Sequence, residues 1–217
     1  MADYAQRRTT MVDTQVRPSD VTKFPIIDAM LSVPRELFVP ADKREAAYVG
    51  ENIDLGDGRV VLEPRTLAKM LEAADIQPGE LVLDIGCGFG YSSALAARMA
   101  EAVISLEDSE EFVAAAEKAL GDAGADNAAV VQGALDEGAA KHGPYDVILI
   151  QGAVEHFPDA LAGQLKDGGR VVAIFNEGAL GTVRVGYHMD GGINWRFAFN
   201  AGAPVLRGFE ARRAFVL

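Results

Sequence analysis

The apolar residues of this chain keep different periods along its length. Between residues 81 and 175 they come as short, mainly continuous runs: Leu81–Ile85, Val103–Leu106, Ala128–Gln132, Tyr145–Ile150 and Arg170–Phe175. Such runs have the length and composition of strands buried on both faces of a parallel sheet. Between them the spacing changes to three and four. Ser92–Ala100, the stretch from a capping Ser109 to about Leu120, and Pro158–Lys166 read as helices. Asp167-Gly168-Gly169 turns the last of these into the fifth strand. Beyond it the period becomes two, where Thr182–His188 and Ile193–Phe199 flank Asp190-Gly191-Gly192, a hairpin signal. Strands alternating with helices and followed by an antiparallel pair predict an α/β protein. Its sheet is doubly wound and mostly parallel, with an antiparallel C-terminal edge. Ala214–Leu217 would add a strand or cover an edge.

Residues 1–62 differ, with Pro18, Pro25, Pro34 and Pro40 interrupting any long element. Ser19 is placed to cap a helix to about Leu31, with Ile26, Ile27, Met30 and Leu31 on one face. Val33–Pro40 reads as irregular and partly apolar, Ala41–Tyr48 as a short polar helix or turn, and Gly56-Asp57-Gly58 as a turn. Pro64 suits the first position of a helix from Arg65 to about Ala74. The expected division is a helical N-terminal cover over 1–62 and a Rossmann-like domain over 63–217.

The centre of the pattern is Leu83-Asp84-Ile85-Gly86-Cys87-Gly88-Phe89-Gly90-Tyr91, where a strand meets three alternating glycines before a helix whose N-terminus would point free amides at a ligand. A dinucleotide turn wants GxGxxG, whereas the glycines here follow GxGxG. Asp84, two residues before the first glycine, would repel a pyrophosphate but can accept hydrogen bonds from an ammonium group or a water. The second strand ends at Glu107, twenty-one positions beyond Gly86, where a carboxylate can accept both hydroxyls of a ribose. An ammonium at one acid and a ribose at the other suit S-adenosyl-L-methionine. The bland reading is an ordinary strand-turn-helix with an incidental acid.

Composition narrows the partners. A net charge of −12 argues against sequence-independent binding to nucleic acid, which is mostly Lys/Arg electrostatics. No apolar run approaches the roughly eighteen residues of a membrane span. The N-terminus lacks the apolar core of a signal peptide, and a single cysteine cannot form an internal disulfide, so a cytoplasmic setting is expected. His142 and His188 offer no metal-ligand spacing, and no metal is expected. The oligomeric state stays open.

Several segments carry a more specific likeness. Met11-Val12 with Gln15-Val16, Ala29–Pro40 containing Val33-Pro34-Arg35-Glu36-Leu37-Phe38-Val39-Pro40, Ala47-Tyr48, the 83–91 turn, Pro144–Ile148 and Gln164–Arg170 together resemble the protein-L-isoaspartate O-methyltransferase family of class I S-adenosylmethionine-dependent methyltransferases. The resemblance implies methyl transfer to a carboxylate on a protein or peptide carrying isoaspartate. On this basis the cofactor-binding candidates are Asp84, Gly86, Cys87, Gly88, Gly90, Tyr91, Glu107, Asp108, Gly133, Ala134 and Gln151.

Three departures stand out. The family's Gly-x-Thr-x-Ser-x-Pro segment, whose hydroxyl side chain sits at the substrate carboxylate, is here Gly58-Arg59-Val60-Val61-Leu62-Glu63-Pro64. The Gly-Asp pair after the third strand, whose acid lies near the adenine amino group, is Gly133-Ala134. Asn200–Phe209 is only loosely similar to the family's ending. The catalytic candidates are therefore Leu62, which occupies the serine position, with Arg65 and Thr66 at the start of the next helix as compensating donors.

The chemistry agrees with a carboxylate acceptor, since an ionised nucleophile needs positioning and desolvation more than a base. After the fourth strand stand Gln151-Gly152-Ala153, with no Asn/Asp-Pro-Pro-aromatic motif for an amino group and no cysteine to attack a pyrimidine. Alternatives are a relative acting on another small acid or on a hydroxyl, with His156 as base, or a cofactor-binding module without turnover. Cys87 reads as a small residue packed beside the cofactor. Trp195, Phe197 and Phe199 read as half-buried sheet residues at strand period.

Overall fold

The structure is a computed structural model that describes residues 3–178 and 180–211; Ala214–Leu217 lies outside them. Seven strands form one sheet in the order β5-β4-β3-β6-β7-β8-β9. They are β3 (Leu81–Ile85), β4 (Ala102–Glu107), β5 (Ala128–Gln132), β6 (Tyr145–Val154), β7 (Leu165–Glu177), β8 (Leu180–Met189) and β9 (Gly192–Asn200). β5, β4, β3, β6 and β7 run parallel, and β8 and β9 are antiparallel. From β3 the chain winds outward through β4 and β5, then returns to β6 on the other side. β3 and β6 thus flank the topological switch point, where open α/β sheets form a crevice beyond their carboxyl ends.

The central strands are buried on both faces. Val147 and Leu149 of β6 face one apolar cluster, while Ile148 and Ile150 face the other. The first cluster takes in α2 (Phe24–Ser32), α3 (Pro64–Ala74), α4 (Tyr91–Ala97) and part of α5 (Glu110–Asp122), as well as Met11 at the end of α1 (Tyr4–Met11). The second is covered more thinly, by Leu161 of the single-turn α6 (Asp159–Ala162) and by Leu206 and Phe209. Burying a large aliphatic side chain is worth roughly 1.5–3 kcal/mol, so the sheet's interior dominates its cohesion.

The elements depart from the sequence expectations in four places. Pro158–Lys166 is helical only over Asp159–Ala162, because Tyr145 N–H bonds the Gln164 carbonyl and Leu165 already pairs with Tyr145 of β6. Ser19 does not cap α2. Its hydroxyl donates to the Gln15 carbonyl, Asp20 takes a left-handed φ of 62°, and the helix starts at Phe24 with a proline in its first turn. Ser109 stands at the N-cap of α5 without a side-chain hydrogen bond.

The aromatic stripe in β9 is broken by a bulge at Ala198, since Arg184 pairs with Phe197 but Val183 with Phe199. Trp195 therefore packs edge-on against Phe175, Phe197 is 65% exposed, and Phe199 is buried on the opposite face beneath the Lys69 ammonium. The hairpin signal itself matches: Asp190 and Gly191 have φ of 54° and 76°, the positive pair of a type I′ turn.

Within residues 1–62 lies a small antiparallel sheet of its own, β1 (Ile53–Gly56) and β2 (Arg59–Val61), joined at the expected turn. β2 packs on β6, which brings the hairpin over the switch point. Among the described residues no helix is long and apolar enough to cross a membrane, and no group of three or more His, Cys, Asp or Glu is placed to hold a metal ion.

Candidate active site

The three glycines after β3 have positive φ, 70° at Gly86, 59° at Gly88 and 91° at Gly90, a run that other L-residues rarely adopt. A side chain at Gly88 would also collide with Leu55 of the hairpin, whose Cδ1 lies 2.6 Å from the place of a Cβ. Gly86 N–H donates to the Leu106 carbonyl at 2.9 Å, which ties the turn to β4.

Two buried carboxylates stand at the strand ends on either side of this turn. Asp84 of β3 accepts from Ser92 Oγ and Ser93 Oγ on Oδ2, both at 2.6 Å, and from Gln151 Nε2 on Oδ1 at 2.7 Å. Burial raises its pKa to about 6 against these three donors, which pull it down. Two hydroxyl donors fill Oδ2, while Oδ1 keeps one acceptor position free.

Glu107 of β4 has no solvent exposure. Its Oε1 accepts from Gly88 N–H at 2.7 Å and its Oε2 from Asp108 N–H at 3.2 Å. Arg59 of β2 reaches both oxygens through Nε at 3.2 Å, and its Nη2 bonds Asp108 Oδ1 at 2.7 Å. Burial pushes the Glu107 carboxyl above its ordinary value, while Arg59 and the two backbone donors act in the opposite sense. The structure thus brings together Asp84 with Gln151 and Gly88 with Glu107 and Asp108, around one turn.

Known proteins place the chain. The family model for protein-L-isoaspartate(D-aspartate) O-methyltransferase matches residues 6–188. The chain belongs to the protein-L-isoaspartate O-methyltransferase family. It is 38% identical over 172 residues to a protein of that name from Koribacter versatilis, covering 79% of this chain and 78% of the relative. A Synechococcus protein of the same name is 37% identical over 174 residues, covering 80% of this chain and 71% of that one. Among solved structures, a Plasmodium falciparum protein provisionally named a protein-L-isoaspartate O-methyltransferase, in complex with S-adenosyl-L-homocysteine, matches with a TM-score of 0.80 at 17% identity, over 95% of this chain and 99% of that one.

The other candidate positions are engaged as follows. Leu62 is 1% exposed, and its carbonyl accepts from Arg35 Nη2 at 2.8 Å. Thr66 donates its hydroxyl to Glu63 Oε1 at 2.6 Å, and the half-exposed Arg65 faces the same carboxylate at 3.9 Å. Glu63 thus occupies the Thr66 hydroxyl. Tyr91 turns toward the N-terminal segment, with its ring 4.7 Å beneath the Arg35 guanidinium. Gly133 N–H donates to the Glu107 carbonyl at 2.9 Å, and Ala134 is exposed. Cys87 is buried, which pushes its thiol well above the ordinary value. His156 sets Nδ1 3.2 Å from the Phe209 carbonyl.

In this member of the family, sequence reasoning missed Arg59, Ser92, Ser93 and Arg35 as contributors. The serines had a readable signal, two hydroxyls opening the helix after an acid-bearing turn. Arg59 had none, because its partner lies 48 residues away across a hairpin.

Proposed function

We propose that this chain is an S-adenosylmethionine-dependent carboxyl methyltransferase whose acceptor is an isoaspartyl side chain of a protein or peptide. The observation that carries the reading is the pair of buried strand-end acids, Asp84 and Glu107, flanking a glycine turn that a Cβ would obstruct. These residues fit the cofactor. Oδ1 of Asp84 keeps one acceptor position for an ammonium, a strand-end carboxylate such as Glu107 can accept a ribose diol, and Gly88 sets no side chain of its own before the ligand. When bound, the cofactor supplies a methyl group activated on a sulfonium. The chain's own residues contribute binding, orientation and the exclusion of water.

Leu62 supports a second reading, in which the acceptor is another small acid. Its buried side chain offers no donor at the position where family members carry a hydroxyl, Glu63 already takes the Thr66 hydroxyl, and Arg65 is half exposed. One missing donor at a reacting group is worth about 30- to 1,000-fold in rate.

Labelled cofactor incubated with an isoaspartyl peptide should give base-labile methyl ester slowly, and Leu62→Ser should raise the rate by about that factor. The substitution also leaves a cavity costing about 2–4 kcal/mol, so the assay belongs well below the variant's Tm. No ester with either protein, while cofactor binding is intact, would overturn isoaspartate as the acceptor and leave the small-acid reading.

A further inference from the structure

The ion pair over the ribose acid has a consequence for how the cofactor enters, resting on the cofactor reading above. Glu107 has four acceptor positions on its two oxygens. Gly88 N–H and Asp108 N–H use two of them, and both donors are fixed by the turn and the strand end. Arg59 Nε lies 3.2 Å from each oxygen and uses the rest. A ribose that donates two hydroxyls to Glu107 needs the positions that Arg59 holds. The two partners are 3% and 0% exposed in their side chains, so solvent does not weaken the pair. Arg59 is also anchored at its second nitrogen by Asp108, whose other oxygen has the exposed Arg207 Nη1 at 3.5 Å.

The element that carries Arg59 is packed on, but not hydrogen-bonded into, the sheet that carries Glu107. β1 and β2 form their own two-stranded sheet, with Gly56, Asp57 and Gly58 all at positive φ in the turn. The same hairpin rests Leu55 on Gly88. Side chains of one hairpin therefore cover both the glycine turn and the ribose acid.

We propose that Arg59 sets the affinity of the cofactor site by competing with the ribose hydroxyls for Glu107, so that binding requires the hairpin to lift its guanidinium away. The cation shared by Glu107 and Asp108 in the closed hairpin becomes a cost when the ligand arrives. Affinity is then held below what the strand-end acids alone would give, and entry is coupled to motion of residues 53–61.

Calorimetry with S-adenosylhomocysteine tests this on the wild type and on Arg59→Gln, which keeps a neutral donor and removes the charge. The variant should bind about 10- to 100-fold more tightly, because no ion pair has to be broken. Arg59→Lys, a point charge unable to span both acids, should fall between them. In the nitrogen-15 labelled wild type, the protected Nε–H signal of Arg59 should disappear as S-adenosylhomocysteine is added, a readout that needs no variant to fold. Equal or weaker binding by a folded Arg59→Gln, or an Arg59 signal that stays protected at saturation, would overturn the competition while leaving the cofactor reading in place. Binding by neither wild type nor variant would overturn both.

Discussion

Asp84 and Glu107 end neighbouring strands, are equally buried, and are satisfied in opposite ways. Asp84 is held by two hydroxyls and an amide, all neutral, contributed by the helix α4 and the neighbouring strand β6. Glu107 is held by a guanidinium from a separate small sheet as well as by backbone donors. A charge met by fixed dipoles keeps its desolvation cost, which is why the Asp84 carboxyl sits near 6. A charge met by a cation has part of that cost offset, though burial still holds the Glu107 carboxyl above its ordinary value. One acid is thus a permanent fixture of the turn and the other an exchangeable contact.

The most severe way to break this pairing is Gly88→Val. It places a side chain in the left-handed backbone against Leu55 and should displace the amide that Glu107 accepts, so S-adenosylhomocysteine binding should fall more than about 1,000-fold by calorimetry. Next in size is Glu107→Gln, which leaves Arg59 with Asp108 as its charged partner and turns an amide NH2 toward a backbone N–H donor, and should cost about 3–5 kcal/mol, a drop in Tm on the order of 10 °C. It should also weaken cofactor binding roughly 10- to 100-fold. If Asp84→Asn lowered Tm as much as Glu107→Gln, the distinction between neutral and charged partners would be wrong.

A pH series sharpens the same contrast. Because folding raises the Asp84 pKa from 3.8 to about 6, the protonated form is the one the fold favours. Its stabilising contribution is complete below about pH 4 and is lost as pH rises through about 6, amounting to about 3 kcal/mol. Denaturation of wild type and Asp84→Asn across that range should show the wild type losing this much relative to the variant; parallel curves would remove the desolvated acid from the account. The smallest effects belong to Ser92→Ala and Ser93→Ala. Each deletes one donor to a buried carboxylate and should cost about 1–3 kcal/mol in the ionised state, with the Asp84 pKa moving further upward in a carboxyl NMR titration.

How much of this was legible in the sequence followed from how local each signal was. The five parallel strands and the C-terminal hairpin were readable because continuous runs, alternation and Asp-Gly-Gly are properties of neighbouring residues. Leu165 was misplaced in a helix because its strand character comes from Tyr145, a partner that no window on Pro158–Lys166 contains. The Ala198 bulge was invisible for the same reason, and with it the change of face between Trp195 and Phe199. At the site, the glycines, Asp84 and Glu107 could be placed from their spacing around one turn. The reach of Arg59 to Glu107 depends on how a hairpin folds over the sheet, which spacing does not encode.

Arg35 has no exposure and no carboxylate among its hydrogen-bond partners. It donates to the carbonyls of Ala47 and Leu62 at 2.7 and 2.8 Å and lies over the Tyr91 ring. What it grips at position 62 is the backbone, and a carbonyl is the same whichever residue carries it. The loop can therefore exchange serine for leucine, or leucine for serine, without losing its anchor. The fold separates where position 62 stands from what it is made of.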